Sequence, residues 1–147
     1  MTNIDSSIWH WYHNVSECNY HIQLTIKYRK LLFNPKLEKA IIESLKDIKE
    51  RYAIEIYNLG FDQNHVHLLI QFLPKYSGGQ VIKIVKSISA KAVFKQCPEV
   101  KKELYGGEFW TDGYYIGTVS NRGTRKIIEK YIKSQGRDAG QLRLFSL

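Results

Sequence analysis

Residues 64–72 have the sequence Asn64-His65-Val66-His67-Leu68-Leu69-Ile70-Gln71-Phe72, and the prediction of the fold starts from this stretch. The pattern is typical of a β-strand, in which side chains alternate between two faces. His65 and His67 therefore point to one face, about 7 Å apart along the chain, while the apolar residues Val66, Leu68, Ile70 and Phe72 point to the other. Two imidazoles on a rigid strand are half of a metal site or simply a polar strand face, and the strand alone leaves both interpretations open.

Three further segments are expected to extend this strand into a sheet. Residues 53–61 precede it, and the polar link Asp62-Gln63-Asn64 makes the two an antiparallel hairpin. Residues 18–29 alternate cleanly, and their polar face carries His21, Gln23, Thr25, Lys27 and Arg29. A fourth strand is expected at about residues 114–119.

Two amphipathic helices separate these strands. Asn34 is a typical N-cap and Pro35 a typical first helical residue, which predicts a helix to residue 51. The spacing of apolar residues predicts a second helix at about residues 80–96, which Pro98 ends. A short helix at residues 99–105 and a last helix that begins at Thr124 follow in the chain.

The order strand, helix, strand, strand, helix, strand predicts one α+β domain of the ferredoxin-like or RRM-like kind. It has an antiparallel four-stranded sheet, two helices on one face, and a hinged C-terminal helix. The domain spans residues 1–147, with an N-terminal arm at 1–17 and the hinged helix at 124–136. The polar tail at 137–147 has little to order it except Leu142, Leu144 and Phe145. The open sheet face would carry both histidines of the 64–72 stretch together with the polar side chains of residues 18–29.

Composition narrows the class of partner. The chain has 147 residues, 44% of them hydrophobic, and 22 lysines and arginines against 14 acids give a net charge of +8. This surplus favours a polyanion, and nucleic acid rather than a membrane because no long apolar run is visible. Cys18 and Cys97 fit neither a zinc spacing nor a disulfide framework, and residues 1–14 lack the apolar core of a signal peptide. We therefore expect a cytoplasmic protein.

The last helix carries a second group of interest. Tyr131 and Gln135 are four residues apart and therefore lie on one helix face. Either Tyr131 packs in an apolar stripe beside an exposed Gln135, or Tyr131 is a nucleophile with an amide oxygen one turn away that completes a metal shell. Asp62 and Glu55 could also supply oxygen ligands, although surface or turn carboxylates are the simpler interpretation of both.

Together these motifs resemble a known family. His65-Val66-His67 resembles the HUH motif (histidine, hydrophobic residue, histidine), and Tyr131 with Gln135 resembles the nucleophile helix of single-tyrosine HUH transposases, the TnpA type of small bacterial insertion sequences. The resemblance covers residues 15–136 and includes three further stretches: residues 20–29, the approach from Asp62 to His65, and residues 109–111 leading to 118–120. The family often has glycine where this chain has Ser120, which places the hinge at a slightly different residue.

The resemblance implies a bacterial or archaeal, nucleoid-associated enzyme that cleaves and rejoins single-stranded DNA near hairpins. It implies a homodimer whose subunits share the active site. In that picture His65, His67 and Gln135 hold one Mg²⁺ or Mn²⁺, and Tyr131 attacks the scissile phosphate to leave a 5′-phosphotyrosine and a free 3′-OH. No phosphate-binding glycine loop suggests a nucleotide cofactor.

Candidate DNA contacts follow from the positive charge, and two alternative functions stay open. The candidates for a cationic track are Lys27, Arg29, Lys83, Lys86 and Arg122. Trp110 fits a core position better than a base-stacking platform.

One alternative is a domesticated relative that acts on palindromic chromosomal repeats by the same chemistry. The other is a non-enzymatic RRM-like nucleic-acid-binding module, although the aromatic strand motif expected of it is missing.

Overall fold

The chain is described by a computed structural model that covers residues 9–11, 14–16, 18–119 and 143–146. Five strands form one antiparallel sheet in the order β6-β3-β5-β4-β7, and β1 and β2 pair separately as a small antiparallel ladder. The strands are β1 (Trp9–Trp11), β2 (Asn14–Ser16), β3 (Asn19–Thr25), β4 (Ile54–Phe61), β5 (His65–Phe72), β6 (Tyr115–Val119) and β7 (Arg143–Ser146). The helices are α1 (Pro35–Arg51) and α2 (Gly78–Gln96), with short 3-10 helices at Lys27–Arg29, Pro98–Lys102 and Tyr105–Gly107.

The predicted fold class is confirmed, and one strand is added to it. The four expected strands pair in the order β6-β3-β5-β4, so the histidine strand β5 lies at the centre. The tail, which was expected to have little order, contributes β7, which pairs with β4 and places Phe145 opposite Leu59. The hinged helix predicted at residues 124–136 lies outside the described residues. Among those that are described, no helix is long and apolar enough to span a membrane.

Local capping explains where both helices begin. The Asn34 side chain accepts a hydrogen bond from the Leu37 amide at 2.9 Å, and Pro35 occupies the first turn of α1 as predicted. Ser77 and Gln80 form a reciprocal capping box, with distances of 3.1 Å and 2.8 Å between side chain and backbone. α2 therefore starts at Gly78, slightly earlier than the apolar spacing suggested.

Both helices pack on one face of the sheet. Val66, Leu68 and Ile70 of β5 belong to one buried cluster with the apolar stripes of α1 and α2. The opposite face was expected to be open, and that expectation is wrong at its centre, where His67, Leu69 and Gln71 are all buried. Its polar groups are partly paired: the Gln71 amide nitrogen donates to the Tyr57 hydroxyl at 2.6 Å, and Gln71 Oε1 accepts from the Cys18 amide at 3.2 Å.

The first long strand ends earlier than its alternating pattern predicted. β3 stops at Thr25, and residues 27–29 form a 3-10 turn with positive φ at Tyr28 (59°) and Arg29 (53°). The cause is long-range: the Ile26 amide donates to the Asn64 carbonyl at 2.8 Å, and the Lys27 amide donates to the Phe109 carbonyl at 2.8 Å. Lys27 and Arg29 therefore do not continue the polar face of β3.

Candidate active site

The two strand histidines share one face, as their spacing predicted. The ring centroids of His65 and His67 are 4.8 Å apart on β5. His65 is the first residue of the strand and its side chain is 20% exposed, whereas His67 is fully buried. The pair therefore reaches from the β4–β5 turn into the interior.

Each of these histidines has its Nδ1 atom against a neighbouring polar group. His65 Nδ1 lies 2.9 Å from Asn64 Oδ1, and His67 Nδ1 lies 3.1 Å from Nε2 of His21 on the adjacent strand. The Nε2 atoms are the ones turned toward the site. That of His65 lies 3.3 Å from Asp62 Oδ2, and that of His67 is buried with no hydrogen-bond partner among the described residues. Few buried polar atoms of the described residues lack a partner, and that of His67 is the one that lies with the ligand atoms of Asp62 and His65.

Asp62 joins the histidines through the geometry of the hairpin turn. Its Oδ1 accepts a hydrogen bond from the Gln63 amide at 2.7 Å, while Oδ2 faces His65, and the side chain is only 12% exposed. Asp62 therefore does not only stabilise the turn, as in the simpler interpretation, but also contacts His65. Glu55, the other acidic candidate, is paired with Lys49 at 2.8 Å and is not part of the cluster.

The three side chains fit a divalent cation. One ligand atom each from Asp62, His65 and His67 lies within 4.8 Å of the others. Two imidazole nitrogens and a carboxylate oxygen suit a divalent transition metal, and the carboxylate also suits harder ions such as Mg²⁺. The orphaned nitrogen of His67 is the observation from this structure that a bound cation would explain.

The protonation state of the buried rings also suits metal binding. Burial lowers the pKa of His67 to about 3, and repulsion from His65 and His21 acts in the same direction. Burial likewise lowers the pKa of His21. An imidazole binds a metal through an unprotonated nitrogen, so a ring that stays neutral near pH 7 is ready to act as a ligand.

Two of the predicted DNA-contacting lysines are engaged within the protein. Lys27 Nζ lies 2.9 Å from Glu108 Oε2 and 3.8 Å from Asp112 Oδ1. Lys86 Nζ donates to the carbonyls of Thr111, Asp112 and Gly113 at 2.7, 3.1 and 3.0 Å, and burial lowers its pKa. These lysines hold the segment before β6, and these contacts compete with the DNA-binding role predicted for them.

The other predicted site residues divide into exposed cations and residues outside the described ranges. Arg29 and Lys83 are exposed, and Lys83 lines a groove of about 700 Å³ between α2 and residues 107–114. Arg122, Tyr131 and Gln135 lie outside the described residues. Trp110 is buried, and its indole N–H donates to Ser89 Oγ at 2.9 Å, which confirms it as a core residue.

His21 is the residue whose role the sequence did not reveal. Alternation placed it on the correct face of β3, but nothing local connected it with His67. That connection depends on the pairing register, in which Gln23 is opposite His67 and His21 is opposite Leu69, so that the two histidines are diagonal neighbours.

Comparison with known proteins gives a consistent result. The family model described as "Transposase IS200 like" matches residues 14–135. The ISDra2 transposase TnpA of Deinococcus radiodurans is 33% identical over 121 residues, which cover 82% of this chain and 86% of that protein. The transposase of insertion sequence element IS200 from Salmonella typhimurium is 31% identical over 123 residues, covering 84% of this chain and 80% of that protein.

Two solved structures share the fold. A provisionally assigned transposase from Deinococcus radiodurans superimposes with a TM-score of 0.64 at 30% identity, covering 80% of this chain and 89% of that one. A REP-associated tyrosine transposase, solved with a REP hairpin bound, superimposes with a TM-score of 0.57 at 17% identity, covering 84% and 68%. The second likeness concerns the fold alone.

Proposed function

This chain belongs to the IS200-like transposase family, and we propose that it cleaves and rejoins single-stranded DNA at the hairpin-marked ends of an element. The observation that carries the proposal is the cluster of Asp62, His65 and His67, in which the buried Nε2 of His67 has no hydrogen-bond partner among the described residues. His65 and His67 of this cluster are the two histidines of the HUH pattern. The region matched by the family model, residues 14–135, also contains the predicted nucleophile Tyr131 and its neighbour Gln135.

Four residues are proposed to hold a divalent cation. His65 and His67 offer nitrogen, Gln135 offers the amide oxygen predicted from the sequence, and Asp62 adds a carboxylate oxygen that the hairpin turn holds nearby. Mg²⁺ or Mn²⁺ at such a site supplies polarisation of a phosphoryl oxygen and orientation of the phosphate. The position of both histidines on β5, the central strand of the sheet, supports a cation site of fixed geometry.

Tyr131 is proposed to carry the covalent chemistry. Its phenol oxygen forms a bond to the scissile phosphorus, the bond from phosphorus to the 3′ oxygen breaks, and the phenol proton is ultimately balanced by the one that the 3′-OH gains. A phenol with a pKa near 10 is a weak nucleophile at neutral pH, so it depends on activation in the site. One phosphoester replaces another, and the reverse attack by a 3′-OH restores the phenol without a nucleotide cofactor.

The proposed partners are a folded single strand and a second copy of the chain. The net charge of +8 favours a polyanion, with Arg29 and Lys83 as the exposed members of the predicted track within the described residues and Arg122 as a further candidate. A hairpin is the nucleic acid bound to the REP-associated structure that shares this fold. We propose the same kind of partner here. We also propose that the protein is cytoplasmic and forms a homodimer whose subunits share the active sites.

A covalent-adduct assay tests this function. Full-length protein incubated with a hairpin-bearing single strand and Mn²⁺ is expected to give a product that survives denaturing electrophoresis. Tyr131→Phe should abolish it, His67→Ala should reduce it sharply, and Tyr114→Phe, at an exposed tyrosine, should leave it intact. An adduct that persists in Tyr131→Phe would refute the assignment of the nucleophile.

The choice of DNA separates the leading proposal from the domesticated relative. The relatives at 31–33% identity are transposases of insertion sequences, which favours element ends as the substrate. Strands that carry element ends and strands that carry palindromic repeats can be compared in the same assay. Binding that is indifferent both to metal and to Tyr131 would instead support the non-enzymatic module.

A further inference from the structure

We propose that His21 is a positioning residue that accepts the Nδ1 proton of His67 and so keeps the Nε2 lone pair of His67 available to a metal ion. The inference deepens the metal site of the proposed function and rests on it. It assigns a role to a residue on β3, the strand next to the HUH strand, which contributes no ligand atom of its own to the cluster of Asp62, His65 and His67.

The geometry puts the two rings in direct contact. His21 Nε2 lies 3.1 Å from His67 Nδ1, and the rings are nearly parallel, with centroids 5.3 Å apart and planes inclined by 25°. Both side chains are buried, so water does not compete strongly for this hydrogen bond. The contact spans two neighbouring strands whose register fixes it.

Only one proton can lie between the two nitrogens, and the nitrogen that carries it decides whether Nε2 of His67 can bind a metal. If His67 Nδ1–H donates, its Nε2 carries a lone pair that faces the site. If His21 Nε2–H donates instead, neutral His67 must carry its own proton on Nε2. In that second arrangement the proton on Nε2 of His67 would block the ligand atom.

The surroundings of His21 hold its ring in place. The ring of Tyr115 meets it edge-on, with centroids 5.5 Å apart. Tyr115 lies over Gly117, the residue opposite His21 on β6, and a Cβ at position 117 would come within 2.5 Å of the Tyr115 hydroxyl. The glycine therefore leaves room for the tyrosine that supports His21. A partner that orients a metal-binding histidine is typically worth about 10–100-fold in metal affinity.

Two substitutions separate hydrogen bonding from packing. His21→Phe keeps a planar ring and removes the acceptor, whereas His21→Gln offers an amide oxygen near the position of Nε2. We expect His21→Phe to bind Mn²⁺ about 10–100-fold more weakly, and His21→Gln to regain most of that loss. Affinities are measured by electron paramagnetic resonance titration of the full chain without DNA, alongside circular dichroism of each variant.

The tautomer itself is a second readout that does not depend on metal or activity. In metal-free protein labelled with ¹⁵N-histidine, long-range ¹⁵N–¹H correlation spectra should show His67 protonated on Nδ1. Protonation on Nε2 would overturn the proposal even if no His21 variant folds. Wild-type affinity in His21→Phe, or a loss in His21→Gln equal to that in His21→Phe, would also overturn it.

Failure of this inference is distinguishable from failure of the proposed function. If the protein forms no Tyr131 adduct but gives these tautomer and affinity results, the proposed transposition chemistry is refuted and the role of His21 stands. If the protein forms the adduct normally but His67 carries its proton on Nε2, only the proposed role of His21 is refuted.

Discussion

Replacement of Lys86 by methionine should destabilise the protein rather than its complex with DNA. The ammonium group of Lys86 donates to three successive carbonyls, of Thr111, Asp112 and Gly113, and lies 5.5 Å from the centre of the Tyr114 ring. Methionine keeps most of the length and apolar stem of lysine and removes all three hydrogen bonds. The segment that leads into β6 would then lose the donor that closes it onto α2.

The magnitude depends on how well water can replace the lost donor. Asp112 and Gly113 are exposed, so their carbonyls regain hydrogen bonds from water and contribute little. The Thr111 carbonyl is partly buried and accepts the shortest bond, at 2.7 Å. A hydrogen bond to a charged group is worth about 1.5–3 kcal/mol, so we expect a loss of about 2 kcal/mol. For a chain of this size that corresponds to a fall of roughly 4–8 °C in melting temperature.

The assay pairs thermal unfolding with the salt dependence of single-strand binding. Lys83→Met is the matched control, because Lys83 is exposed on the same helix. It should melt within about 0.5 kcal/mol of wild type, and if Lys83 contacts a phosphate it should reduce the salt slope by about 0.7. Lys86→Met should instead lower the melting temperature and leave the salt slope unchanged. A Lys86→Met protein that melts like wild type and has a reduced salt slope would refute the structural role.

Three further outcomes are expected. Asp62→Asn should weaken Mn²⁺ binding in an electron paramagnetic resonance titration without DNA, since it removes the carboxylate charge; an unchanged affinity would restrict Asp62 to its role in the turn. Metal-free protein should lose stability as the pH falls from about 6.5 toward 3, because unfolded His67 takes up a proton at higher pH than the buried ring does. Urea unfolding should show this as a loss of at most about 1.4 kcal/mol per pH unit from that ring, and a His67→Gln variant that loses stability just as steeply would contradict it. Asn34→Ala should cost about 1 kcal/mol in the same urea experiment, whereas Asn34→Asp should not, and an unaltered midpoint for the alanine variant would exclude the cap.

The sequence predicted those features that depend on local rules. A period of two placed His65 and His67 on one face, and the polar turn after β4 predicted the hairpin that brings Asp62 to them. Asn34 and Pro35 located the start of α1 because capping involves only the first turn of the helix. In each case the physical cause lies within a few residues of the feature that it determines.

Features that depend on contacts distant in sequence were not predictable in the same way. Alternation continued through Lys27 and Arg29, but hydrogen bonds to Asn64 and Phe109 end the strand at Thr25. The groups that bind Lys27 and Lys86, Glu108 and the Thr111 carbonyl, are likewise distant in sequence. The role of His21 likewise required the strand register, which a single sequence does not contain.

The early end of β3 changes where a phosphate would meet the site. The turn that carries Arg29 packs against the β4–β5 hairpin, where Asn64 Nδ2 lies 3.5 Å from the Arg29 carbonyl oxygen. His67 is fully buried, whereas Asp62 and His65, on the hairpin side, retain some exposure. Among the described residues, the proposed metal site is therefore most accessible from the hairpin end. The exposed Arg29 belongs to a turn at that end, although it no longer continues the face of β3, and it therefore stays a candidate for the proposed contact with DNA.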